Sequence, residues 1–174
     1  MLLLLLACPE PPLEPLDLTE RLSSGQVRAG RITDEQSLFG GIAAEGQVGD
    51  FKIYNDRVAF IIQSRRQGSY MSTYGGNVID ADIVRDDGIG RDLVVEWAPN
   101  LGFGRFVDPT SVRVADDGRD GTACVRVVGD EAAFQYLSGG FEIPHVDLGL
   151  RVVTDYILQP VSYTHLTLPT NREV

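Results

Sequence analysis

The stretch Val48–Gln63, VGDFKIYNDRVAFIIQ, constrains this chain more than any other. Within Phe51–Tyr54, Phe51 and Ile53 point to one side and Lys52 and Tyr54 to the other, the two-residue period of a strand. Asn55-Asp56 interrupts the run. Both residues tolerate positive φ and hydrogen-bond their own backbone, so a two-residue turn is favoured there. Val58–Ile62 follows as a nearly unbroken run of β-branched and aromatic residues, the pattern of a strand covered on both faces. A short buried helix would also hide such a run, but the turn pair and the β-branched content favour a hairpin. Each large side chain buried there contributes about 1.5–3 kcal/mol.

The rest of the chain repeats the theme. Leu16–Leu22 reads as a short helical turn docking Leu16, Leu18 and Leu22 on a sheet, and Val27–Ile32 as a first strand. Asp34–Phe39 has a helix start, with Thr33 or Asp34 as N-cap and Gly40-Gly41 as stop. Asn77–Val84, Asp92–Trp97 and Leu148–Leu158 read as strands. Ser111–Ala115 and Thr122–Val128 flank the hairpin connection Asp116–Gly121, and Glu131–Gly140 holds a short helix or an edge segment. A length of 174 residues suits one domain, and 43% hydrophobic residues exclude global disorder. These patterns predict an all-β fold: two packed antiparallel sheets forming a β-sandwich over 27–160.

A formal net charge of −10 argues against nucleic acid as a partner, because phosphates recruit Lys and Arg. It suits solubility, a cationic partner or a metal. Three places invite a site. The loop Ser64–Gly76 carries Arg65, Arg66, Tyr70 and Tyr74, which either grip a sugar, a carboxylate or a protein surface, or form a connector whose tyrosines pack on the sheet edge. Asp80 and Asp82 share one side of their strand, and Asp86 and Asp87 follow. That set offers oxygen ligands to calcium, and it is equally what a strand with one wet face looks like. Glu142 and His145 stand three apart, but a histidine without companions is an ordinary surface or core residue more often than a ligand. No catalytic set emerges. Cys124 lies in a β-like apolar run and reads as a small buried hydrophobe rather than a nucleophile.

The amino terminus, Met1 to Cys8, is a short apolar run ending in Leu5-Leu6-Ala7-Cys8, which resembles a bacterial lipobox. The resemblance implies lipidation of Cys8 and attachment to a bacterial envelope membrane. The apolar run is too short to span a bilayer, and no basic residues precede it. Pro9–Pro15, PEPPLEP, forbids helix and central strand, so residues 9–26 read as a proline-rich tether. At the other end, Val161–Val174 resembles a translated sequencing adapter, which implies that the native sequence stops near Pro160 and that the sandwich is incomplete.

GQVGDFKIYNDRVAFIIQ followed by YGGNVIDADIV resembles the amino-terminal β domain of myxobacterial-type envelope lipoproteins, some of which carry a PHP-type metallohydrolase domain further on. The same strands are similar to the β-supersandwich of the mutarotase and polysaccharide-lyase group. The late run TDYILQP is similar to a strand of that group, with Val161 where the group has glycine. No catalytic residue of the mutarotase group and no PHP histidine motif can be placed on this chain. The resemblance therefore implies a fold and an address. Two functional classes follow: a non-catalytic binding or accessory domain, for carbohydrate or for a downstream domain, and the front part of a metal-dependent or sugar-active hydrolase.

Overall fold

The computed structural model describes residues 16–68, 70, 72–88, 90–102, 104–134 and 149–160. The lipobox-like run with Cys8, the proline run, Glu142 with His145, and the tail 161–174 lie outside the described residues. The strands are β1 (Val27–Arg31), β2 (Phe51–Asn55), β3 (Val58–Ile62), β4 (Val78–Ile83), β5 (Arg105–Asp117), β6 (Ala123–Ala133) and β7 (Arg151–Leu158). They form two antiparallel meanders, β1-β2-β3-β4 and β5-β6-β7, packed as a sandwich that does not close.

The central hairpin forms with one change. Asn55 stays in β2, and Asp56 and Arg57 make the turn. No non-glycine residue among those described has positive φ. Instead the Asn55 Oδ1 accepts the N–H of Arg57 at 2.8 Å and of Val58 at 2.9 Å, so a side chain closes the turn without left-handed backbone.

The four-stranded sheet is buried on both faces. Its inner face meets the second sheet: Val27, Ala29, Phe51, Ile53, Ile62 and Val78 pack with Ala123, Val125, Val127 and Tyr156. Its outer face, with Tyr54, Ala59, Ile61 and Ile79, is covered by the chain's own connections through Leu18, Leu22, Ile32 and Phe39. This explains why Val58–Ile62 is apolar at nearly every position. Both faces of β4 take apolar residues because the register slips by one between Ile61 and Ile62. Ile61 pairs with Asp80 and Ile62 with Val78, so Val78 faces inward while Asp80 and Asp82 face outward with Ile61 and Ala59. Simple alternation puts Val78 on the side of the aspartates; the bulge reverses it.

Other expectations need correction. Leu16–Leu22 docks as expected but is a strap without helix. Its carbonyls are taken by the sheet: Lys52 Nζ donates to Leu18 O at 2.7 Å, Tyr54 Oη to Glu20 O at 3.0 Å, and Arg28 to Asp17 O at 3.2 Å. Gly30 allows the close approach, since a Cβ there would stand 2.7 Å from Leu18. The helix at Asp34–Phe39 is a single 3-10 turn, Glu35–Ser37, capped by Asp34. Asp92–Trp97 is extended but bridges β4 only at Val78–Trp97. Of the segment read as a short helix or an edge segment, Glu131–Ala133 ends β6 as strand, and 135–140 lie outside the described residues. Cys124 is 8% exposed and free, with its thiol pushed up by burial first of all.

The strap is part of the folded unit. Leu18→Ala should lower the urea unfolding free energy by about 2–5 kcal/mol in one cooperative transition. An unchanged midpoint would show that the outer layer does not hold the sheet.

Candidate functional site

Arg65, Arg66 and Tyr74 line a shallow cleft of about 210 Å³ with Gln67, Thr73 and Asp108; Tyr70 is exposed and lies outside that lining. Two of the four are engaged in holding the fold. Arg66 gives Nη2 to Asp50 Oδ2 at 2.9 Å and to Glu45 O at 3.1 Å. Tyr74 donates its hydroxyl to Ala133 O at 2.9 Å, joining the loop to β6. Arg65 is exposed.

Asp80 and Asp82 do share a face, but their oxygens are occupied by N–H donors. Asp80 accepts from Glu45 N at 2.8 Å and Gly46 N at 2.9 Å. Asp82 accepts from the Arg85 guanidinium at 2.8 Å and from Arg91 N at 3.0 Å. Burial pushes the Asp82 carboxyl up, but the Arg91 N–H and Arg85 outweigh it and hold it below the usual carboxylate range. Among the described residues no group of three or more His, Cys, Asp or Glu is placed to hold a metal ion. Asp50 and Asp92 are fully buried like Asp80 and play a similar part, accepting backbone N–H groups from loops and, at Ala81, from β4. These carboxylates replace backbone pairing where the connections leave the ladder.

A different surface leaves large apolar groups exposed. The second sheet packs chiefly against β1 and β2, so among the described residues the inner face of β3 and β4 has no full partner. Phe60, which points there, is only half-buried. The gap is a groove of about 320 Å³ lined by Ile53, Phe60, Ile62, Val78, Trp97 and Tyr156, with Asp155, Ile157 and Leu158 along β7. Trp97 is held by its backbone, donating to Val78 O at 2.8 Å and accepting from Val78 N at 3.1 Å. The adjoining Glu96 accepts Ser72 N and the Asn77 amide, which fixes the segment to the loop before β4. Tyr156 meets the indole edge-on, with centroids 6.1 Å apart, and donates its hydroxyl to Gly76 O at 2.9 Å. The platform is therefore rigid while the indole stays 67% exposed. Sequence reasoning on the polar loop missed this groove. Its signal was the alternation of Leu93, Val95 and Trp97, all exposed, ending in the chain's single tryptophan.

No protein-family model matches the chain, and no curated protein and no solved structure matches it.

One electrostatic consequence is measurable. Burial first of all, with help from Asp92 and Asp50 and against the Glu45 and Gly46 N–H groups, pushes the Asp80 carboxyl up from 3.8 to about 6. The folded state thus binds a proton that the unfolded chain releases, and stability falls as pH rises between those values. Raising the pH from 4 to 7 should cost the wild type about 2 kcal/mol relative to Asp80→Asn, after allowance for solvent screening. Urea titrations at stepped pH check this, and a pH-independent difference between the two proteins would refute it.

Proposed function

We propose that this chain is a non-catalytic binding or accessory β domain of a bacterial envelope lipoprotein, anchored through Cys8. Its ligand is an extended protein segment, seated in the Trp97 groove and added along the outer edge of β7. The observation that carries this reading is the inner face around Phe60, which the described residues of the second sheet cover only in part, a place where a sandwich expects a further strand. Beside it, β7 is the last strand of its sheet and pairs only with β6 among the described residues. A groove for alternate side chains next to an unpaired edge is the geometry of strand addition. The groove wants apolar side chains, and the net charge of −10 favours basic residues on the partner. A rigid exposed tryptophan is a common anchor of binding energy. A mostly apolar lining fits a peptide better than a sugar, whose hydroxyls need several polar partners.

Trp97 is the only tryptophan, so its fluorescence reports this groove directly. A short peptide of alternating valine and lysine should shift the emission to the blue in a saturable way, and its valine–glutamate counterpart should bind more weakly. Ile157→Arg, at a position 60% exposed, should weaken the lysine peptide by about 10-fold without unfolding the chain. A spectrum that ignores the peptide, or one moved instead by soluble oligosaccharides, would overturn the proposal.

A further inference from the structure

We propose that Lys52 is a reactive amine that takes small aldehydes as Schiff bases, in a cleft on the outer face of the first sheet. The site is separate from the Trp97 groove and does not depend on its role. The cleft has a volume of about 330 Å³, at the lower end of small-molecule pockets. The strap residues Thr19–Leu22 form one wall, Leu38 and Val84 line others, and Lys52 and Tyr54 from β2 belong to its lining.

Lys52 is the chain's only lysine and is 4% exposed. A lysine on a sheet face normally reaches water with its ammonium. Here the Nζ gives one hydrogen bond, to Leu18 O at 2.7 Å, and stands 4.8 Å from the Tyr54 ring centroid and 5.8 Å from that of Phe39. None of the ion pairs among the described residues includes it. The rings and the carbonyl favour the ammonium, but the nitrogen has lost water without gaining a counter-ion in contact, which favours the neutral form. Burial brings the amine down to about 8, against the pull of Asp34 and Asp17. The other charges facing it are Arg28 from β1 and the cleft residues Glu20, Arg21, Arg85 and Asp86. All five are engaged, Arg28 with Glu20, Arg21 with Asp86, and Arg85 with Asp82, so the cations around the cleft are largely compensated.

A neutral, desolvated lysine is the nucleophilic form. Its nitrogen lone pair bonds to the carbonyl carbon while the C=O π pair moves to oxygen. The two nitrogen protons then leave with that oxygen as water, and the C=N bond remains. Nothing is oxidised or reduced.

The test is reductive alkylation of the full chain with propanal and cyanoborohydride, read by peptide mapping against Nα-acetyl-lysine in the same tube. About half of an amine with a pKa near 8 is neutral at pH 8, against roughly 0.3% of an ordinary lysine. Lys52 should therefore react at least ~10-fold faster than the reference at pH 8, even with the lower nucleophilicity of a weaker base. Its rate should reach half-maximum near pH 8, and unfolding in urea should abolish the advantage. The amino-terminal amine maps to a different peptide and does not interfere. A rate equal to or below the reference in the folded protein, or a profile with the midpoint of free lysine, would overturn the proposal.

Discussion

Covering the first sheet on both faces is the constraint on which the remaining structure depends. The second sheet supplies one cover and the chain's own connections supply the other. Connections that run across a sheet carry backbone polar groups into an apolar layer, where each unpaired group costs about 1–3 kcal/mol. The solution is a set of buried side chains aimed at loop backbone. Asp50, Asp80 and Asp92 accept N–H groups, and Lys52, Tyr54 and Arg28 donate to carbonyls. Residues that look like surface chemistry in the sequence are largely the fastenings of the outer layer.

That explains what could and could not be read from the residues. The hairpin, the all-β class and the two sheets were legible because Phe51–Tyr54 alternates at the period of a strand and Val58–Ile62 is too apolar for a wet face. The strap was misread as a helical turn because Leu16, Leu18 and Leu22 fit either form, and only its tertiary partners decide which groups take its carbonyls. Asp92–Trp97 alternates like a strand, yet side chains do much of its pairing: the Asp92 carboxylate receives Ala81 N, and Glu96 receives the Asn77 amide. Alternation reports an extended backbone, not a ladder.

The sites follow the same logic. Charged residues in a loop draw attention because they are recognisable, but Arg66 and Tyr74 bind the protein's own groups. The Trp97 groove arises where two sheets of unequal width among the described residues meet, and its one local trace is the apolar alternation that ends in Trp97. Lys52 was legible only as the polar half of an alternation; the strap that turns its surroundings apolar lies more than thirty positions earlier in the chain.

The one-residue slip opposite Ile61 carries a consequence for how this sequence tolerates change in length. Upstream of it, β4 is in phase with the inter-sheet core; downstream, it is in phase with the outer cover. Losing Ile79 would therefore straighten the strand rather than scramble it: Val78 would still pair with Ile62 and Asp80 with Ile61, at the cost of one apolar side chain in the outer cover. Losing Ala81 instead would turn one of the two carboxylates toward the interior, since parity along a strand admits no half-step.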